Sequence, residues 1–370
     1  MSDGIHVCQI INSLDLGGAE HLLVHLTEEM EEVDFTVVSL ESEAALAEPL
    51  RDAGARVLHL EEAFKFDPRT FLALRGILSA EDFDIVHNHL PYAQTIGRLT
   101  ARSTGHEVIV STQHNVPSVY HPVTRTTERI TRQLDTVTVA VSRGVERAFT
   151  ESAHEPNVLG EDWCTIYNGI DVEGFRDAVE RANGSGIRKR LGVDGSGSLL
   201  LNVGRYVSAK SQKDLIEAFA LADLSNTVLV IVGHGPLRDE LERTAEQYDV
   251  ANRVYVTGRV PKVEPYYAAA DIFVSSSKWE GLGMTLVEAM AVKLPVIASN
   301  IPAVNEVVID ENTGHLYPSG ESEALANILS EFEDGELEMY VESAYEHVRT
   351  TFDIELTADT HTKLYRKLMK

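Results

Sequence analysis

Residues 271–290 read DIFVSSSKWEGLGMTLVEAM. The apolar run Ile272-Phe273-Val274 ends in three serines, a loop carrying Gly281 and Gly283 follows, and MTLVEAM has the spacing of a helix. A strand that feeds a helix through a glycine loop is the repeating unit of parallel α/β sheets. It is also an anion site. The first turn of the helix offers unpaired N–H groups at the positive end of the peptide dipole, and two glycines leave that backbone uncovered. Glu280 and Glu288 stand eight positions apart across the loop. Glu288, expected inside the first turn, can accept hydrogen bonds from the hydroxyls of a sugar. On the alternative reading it only complements the helix dipole and Glu280 is solvated.

The same rhythm runs outward along the chain. HVCQIINSL, FTVVSL, RVLHL, FDIVHNH, EVIVSTQ and TVTVAVS alternate with longer amphipathic stretches, and the pattern restarts with LLLNVG, VLVIVG, RVYVTG, DIFVSSS and PVIAS. Two doubly wound α/β domains are expected. Between them, residues 168–198 contain NGID, NGSG and GSGS, the composition of a linker with one helix leading into the second domain. The expected domains are residues 1–170 and 171–352, with 353–370 a terminal helix that returns to the N-terminal domain. In open α/β sheets ligands lie beyond the carboxyl ends of the strands, so two such domains facing each other would enclose a cleft.

Composition narrows the function classes. The chain has 370 residues, 44% of them hydrophobic, and a formal net charge of −26. That charge repels polyanions, so nucleic acid is not an expected partner. Carboxylates far outnumber a basic set in which only ten residues are lysine, a surface suited to concentrated salt, where self-repulsion is screened. Cys8 and Cys164 are too few for a disulfide framework or a zinc cluster and fit a reducing cytoplasm. No apolar run nears the length of a spanning helix and MSDGIHVCQ lacks the features of a signal peptide, so any membrane contact is expected to be peripheral.

Other strand ends carry chemistry. In LNVGRYVSAKSQKDLIEAFA, Arg205 follows a strand and Gly204, and Lys210 stands five residues on at the start of a helix. A planar guanidinium beside a point charge suits a diphosphate; the alternative is two solvated cations. IVSTQHNV places His114 past another strand end, and FDIVHNH places His87 and His89 past the one before. The latter two read as structural hydrogen-bonding residues, since no carboxylate or cysteine lies close enough in sequence to complete a metal site. Asp82-Phe-Asp84 matches an Asp-x-Asp metal signature, yet Asp84 opens its strand, at the wrong end of the sheet. Gly17-Gly18 ends the first strand and offers a close backbone approach for an acceptor or a phosphate. GHGPLR, with Gly233 and Gly235, has Pro236 and Arg238 where a dinucleotide fingerprint needs a helix and a third glycine, which disfavours a nicotinamide cofactor.

Taken in order, LGGAE (Leu16 to Glu20), DIVHNH, STQHN, VAVS, IYNGID, VGRYVSAK, VGHGPLR and EGLGMTLVE resemble the retaining nucleotide-sugar glycosyltransferases of family 4, with EGLGMTLVE as that family's Glu-x7-Glu motif. The resemblance spans nearly the whole chain. SNIPAVNEVV departs from it by lacking Gly-Gly before Pro-Glu, so only Glu306 carries over, loosely. The implied fold is GT-B, two facing Rossmann-like domains with a cleft between them. The implied activity is transfer of a hexose from a nucleotide-diphosphate sugar, UDP-linked by preference, to a glycan or lipid-linked acceptor, in the cytoplasm or at the inner face of the membrane. No metal or other cofactor is implied.

Residue by residue, the resemblance makes Arg205 and Lys210 the pair that neutralises the departing diphosphate. Glu288 becomes the ribose ligand and Glu280 the carboxylate near the transferred sugar. Backbone groups at Gly17, Gly18, Gly204, Gly281, Gly283, Met284, Thr285 and Leu286 join the donor-binding set, and His114 hydrogen-bonds the sugar from the facing domain. A sugar-nucleotide 2-epimerase of the same architecture and a noncatalytic nucleotide-sugar binder are the alternatives. A further feature is local charge: residues 92–147 carry seven arginines and four carboxylates within so acidic a chain. Arg125, Arg129 and Arg132 recur along one helical stripe, with Ile130, Leu134 and Val137 on the next, Val137 reading equally as the start of the following strand. Either the apolar stripe is core and the arginines pair with carboxylates, or this face meets anionic headgroups or the phosphates of a lipid-linked acceptor.

Overall fold

The computed structural model describes the chain apart from residues 1–3, 16, 42–43, 62–66, 194, 196, 225 and 333–338. Leu16 of LGGAE, the first three residues of MSDGIHVCQ, and Asp194 and Ser196 of the glycine-serine tract therefore lie outside the described residues. The chain divides into two compact units, Met1–Gly169 with Ile354–Lys370, and Ile170–Asp353.

In the first unit seven strands form one sheet: β1 (Ile5–Ile11), β2 (Val33–Ser39), β3 (Arg56–His59), β4 (Ile85–His89), β5 (Ile109–Gln113), β6 (Val137–Ala140) and β7 (Trp163–Thr165). Their order is β3-β2-β1-β4-β5-β6-β7, every pair parallel. Alternation along β1 sets both faces. Val7 and Ile11 pack with Leu22, Leu23 and Leu26, while Cys8 and Ile10 pack with Val86 and Ile96. The last helix, Ile354–Leu368, belongs to this unit. It sends Ile354, Ala358, Leu364 and Tyr365 into the same core as Val7 and Leu22. Each such aliphatic side chain, fully buried, stabilises the unit by about 1.5–3 kcal/mol.

The second unit holds six strands: β8 (Ser198–Val203), β9 (Thr227–Val232), β10 (Val254–Val256), β11 (Ile272–Ser275), β12 (Val296–Asn300) and β13 (His315–Pro318). All are parallel, in the order β10-β9-β8-β11-β12-β13. The strand order reverses between β8 and β11, so the loops leaving these two strands diverge and open a crevice at their carboxyl ends. Among the described residues no helix is long and apolar enough to cross a membrane.

Two strands and one connection differ from the sequence reading. β7 and β13 are edge strands whose residues, WCT and HLYP, form no apolar run, and β13 ends at Pro318, which a sheet edge tolerates. Residues 168–198 are not a linker with one helix. They hold two helices, Val172–Glu180 and Gly184–Leu191, capped by the side chains of Asp171 and Asn183. The glycine in NGSG answers a packing need: a Cβ on Gly184 would overlap the backbone of Ala268.

Candidate active site

The loop leaving β8 is pinned from below. Tyr206, fully buried, donates its N–H to the His234 carbonyl at 2.8 Å and its hydroxyl to the Ile231 carbonyl at 3.0 Å. Gly233 and Gly235 permit this, since a Cβ on either would overlap the backbone of Gly204 or Tyr206. The glycines of GHGPLR thus serve a loop-to-loop approach within the protein. Above the anchor, Arg205 is exposed, and among the described residues its guanidinium has no partner. Gly204 lets the stem of Lys210 lie along the backbone, where a Cβ would come within 3.2 Å of its Cε.

The serines that end β11 hold the two halves of the crevice together. Ser276 donates its hydroxyl to the Lys210 carbonyl at 2.9 Å, and the Lys278 N–H donates to the Ala209 carbonyl at 2.7 Å. Ser277 donates to Glu280 Oε1 at 2.6 Å, and the Lys210 ammonium donates to that same oxygen at 2.5 Å. Glu280 is only 12% exposed, so it is not the solvated carboxylate of the alternative reading. The loop ends at Gly283, whose φ of 101° favours glycine, and the helix Met284–Ala291 begins. Its first turn corrects one expectation. The Leu286 N–H is taken by the Gly283 carbonyl at 2.9 Å, which leaves Met284 and Thr285 as the N–H groups without an acceptor among the described residues.

Glu288 is corrected as well. It lies in the second turn, not the first, and accepts a hydrogen bond from the Tyr267 hydroxyl at 2.6 Å. Burial raises its pKa to about 7, against the lowering influence of Tyr267 and of Lys210. A carboxylate so placed costs stability when ionised and gains little from the helix dipole, which argues for a ligand as its purpose. Tyr267 was missed in the sequence, where nothing local ties it to Glu288. Glu306 is half-buried in the short helix Val304–Val307 after β12.

In the first unit the carboxyl ends of β1, β4 and β5 gather Gly17, Gly18, His89 and His114. Gly17 is the extended residue before the helix Gly18–Glu29. His114 Nε2 lies 3.0 Å from His89 Nδ1, and burial, then His361, lowers the His114 pKa to about 3. His87 bonds Tyr365 and Thr112, as a structural residue does. Asp84 sits at the opposite end of β4, bonded to the His6 backbone. Among the described residues no cluster of three or more His, Cys, Asp or Glu is arranged to hold a metal ion.

Two sequence families meet on this chain: Glycosyltransferase Family 4 matches residues 16–173 and Glycosyl transferases group 1 matches residues 185–347. The chain belongs to the family 4 glycosyltransferases. A relative from Escherichia coli, UDP-Gal:alpha-D-GlcNAc-diphosphoundecaprenol alpha-1,3-galactosyltransferase, is 27% identical over 71% of this chain and 70% of its own length. Phosphatidyl-myo-inositol mannosyltransferase of Mycobacterium leprae is 28% identical over 81% of this chain and 78% of its own. Among solved structures, Anabaena HepE in complex with UDP and glucose superposes with a TM-score of 0.84 at 20% identity, covering 98% of this chain and all of that one. The fold is GT-B, built of two Rossmann-like domains, and the protein is a glycosyltransferase enzyme.

The arginine stripe of this glycosyltransferase is corrected in part. Arg132 lies beyond the helix Pro122–Thr131, in a 3-10 turn, where it pairs with Glu128 at 3.7 Å and stacks over Phe149 and Trp163. Arg125 and Arg129 remain exposed. Ile130 is not core but 64% exposed, with Val123 at 55% on the same outward face, and Val137 already belongs to β6. What the helix buries is Glu128 and Thr131.

Proposed function

We propose that this glycosyltransferase moves a hexose from a UDP-sugar to a glycan or lipid-linked acceptor, with retention and without a metal. The observation that carries the reading is the convergence at one crevice of Arg205, the Lys210–Glu280 pair and the two open N–H groups of Met284 and Thr285. The N–H groups and the two cations suit a diphosphate, Glu288 the ribose hydroxyls, and Glu280 the transferred sugar. As the bond from the sugar to the diphosphate breaks, negative charge grows on the leaving oxygen, where fixed cations lower the barrier. The acceptor oxygen attacks from the face the diphosphate leaves, and its proton passes to a diphosphate oxygen. UDP is favoured because HepE binds UDP and glucose and the Escherichia coli relative is named for UDP-Gal.

A thermal-shift screen of nucleotide sugars in high salt tests the donor. A UDP-sugar is expected to give the largest rise in melting temperature, by mass action on the native state. A larger rise with GDP-mannose would overturn the choice of base. For a lipid-linked acceptor, the exposed Arg125 and Arg129 beside Val123 and Ile130 form a face suited to anionic headgroups, each basic side chain contributing about 1 kcal/mol near such a surface. Arg125→Gln with Arg129→Gln should therefore weaken sedimentation with anionic liposomes at low salt and leave the UDP-sugar shift unchanged. Equal sedimentation of variant and parent would remove the membrane face.

A further inference from the structure

Gln9 is a polar residue, 1% exposed, on the face of β1 that Val7 and Ile11 otherwise fill with apolar contacts. A buried amide is costly unless every one of its groups is bonded, and a leucine would pack there more simply. Gln9 is the centre of a chain of hydrogen bonds. Its Oε1 lies 2.7 Å from His89 Nε2, and its Nε2 donates to the Tyr365 hydroxyl at 3.2 Å. Beyond His89 stands His114, with His89 Nδ1 and His114 Nε2 3.0 Å apart. Beyond Tyr365 stands His87, whose Nδ1 lies 2.7 Å from the Tyr365 hydroxyl and whose Nε2 lies 2.7 Å from Thr112 Oγ1.

We propose that Gln9 and His89 are positioning residues that select the tautomer of His114, so that His114 meets a substrate hydroxyl as a hydrogen-bond acceptor through Nδ1. A neutral imidazole has one donor and one acceptor nitrogen, and hydroxyls serve in either sense. Along this series of hydrogen bonds only the amide of Gln9 has its donor and acceptor on different atoms in a fixed arrangement. With its carbonyl toward His89, the His89 Nε2 must carry the proton and donate. His89 Nδ1 then holds a lone pair, so His114 Nε2 must donate to it, and His114 Nδ1 is left bare. On the other side the amide N–H donates to Tyr365, which donates to His87 Nδ1, and His87 Nε2 donates to Thr112. All five bonds run in one direction. Burial supports this by holding His87 and His89 well below the usual histidine range, so the rings stay neutral. Since His114 is itself a very weak base, its bare nitrogen orients a hydroxyl and does not remove its proton.

The inference rests on the reading of His114 as a substrate-contacting residue, and the two are separable by experiment. In the full chain labelled with ¹⁵N-histidine, long-range ¹H–¹⁵N correlation at neutral pH should show His114, assigned by its loss in His114→Ala, with Nε2 protonated and Nδ1 bare. Gln9→Leu should mix the two tautomers and lower kcat about tenfold, the weight of one misdirected hydrogen bond, with the donor KM little changed. His89→Asn, whose amide oxygen can replace the Nδ1 acceptor, should retain more turnover than His89→Leu. Protonation of His114 at Nδ1 in the parent, or His114 shifts unchanged by Gln9→Leu, would overturn the proposal. The parent spectrum decides alone if Gln9→Leu does not fold. Undiminished turnover of His114→Ala would overturn the role of His114, and with it that of Gln9 and His89 in the reaction, whatever the tautomer.

Discussion

Lys210→Ala and Arg205→Ala are each expected to lower kcat on the order of a hundredfold, the usual loss when one group that stabilises transition-state charge is removed. The two losses should differ in kind. Arg205 is exposed and has no partner among the described residues, so its removal deletes charge and little else. Lys210 also holds Glu280, and its removal leaves that partly buried carboxylate with Ser277 as its remaining donor among the described residues. Lys210→Ala should therefore also lower the melting temperature of the free enzyme, while Arg205→Ala should not. Steady-state turnover with a UDP-sugar, alongside thermal denaturation of both variants, makes the comparison. Unchanged kcat in Arg205→Ala would remove the diphosphate role from that residue. EDTA should leave the parent's activity intact. If chelation abolished turnover and Mg²⁺ or Mn²⁺ restored it, the metal-free reading would fall, and Asp82 and Asp84 would have to be considered again.

How far such a site is legible in a sequence follows from the range of the interactions that build it. Central strands were legible because burial on both faces writes a continuous apolar run, as in TVLVIV, and β7 and β13 were not, because WCT and HLYP contain no such run. The strand-end positions of Arg205, Lys210, Glu280 and His114 were legible from the strand, glycine and helix order, while their roles rest on the family resemblance. Partners distant in sequence were not. Tyr267 stands 21 positions before Glu288, Ser276 reaches back 66 positions to the Lys210 carbonyl, and Tyr365 lies 356 from Gln9. Gly184 read as part of a linker, and Gly233 and Gly235 as an incomplete dinucleotide fingerprint, because the backbone each one faces is elsewhere in the chain. One local sign was present: Gln9, His87 and His89 lie in strands buried at the centre of the sheet, and a polar side chain in such a place needs a partner.

Among the arginines of residues 92–147, Arg98 answers to stability, and Arg98→Met is expected to destabilise the first unit by about 3–5 kcal/mol. Its side chain is 0% exposed. Nε and Nη2 donate to the two oxygens of Asp135 at 2.8 and 2.7 Å, and Nη1 lies 3.4 Å from Glu128 Oε1. One guanidinium thus ties the helix Pro91–Thr104 to the helix Pro122–Thr131 and to the approach of β6. Methionine fills similar volume but takes the buried cation from two buried carboxylates, leaving Asp135 with the hydroxyls of Ser111 and Thr138 and Glu128 with Gln113 and the more distant Arg132. The exposed Arg51–Glu48 pair sets the contrast, since Arg51→Ala should cost about 1 kcal/mol at most. The loss in Arg98→Met should also depend on pH. Burial raises the pKa of Asp135 above its usual 3.8, and Arg98 is the first of the groups that oppose the rise. Without Arg98 the folded-state pKa rises further. A carboxyl whose folded pKa exceeds its unfolded one contributes stability that is full below the unfolded value and is lost as pH rises through the folded value. The variant should therefore sit nearer the parent in mild acid and fall away from it as pH rises toward neutrality. Trp163 lies in the first unit and Trp279, the other tryptophan, in the second, so urea unfolding followed by fluorescence in a Trp279→Phe background reads the right unit. A gap between Arg98→Met and parent that stayed within 1 kcal/mol, or that did not change with pH, would mean that Asp135 and Glu128 find water or other donors once the arginine is gone.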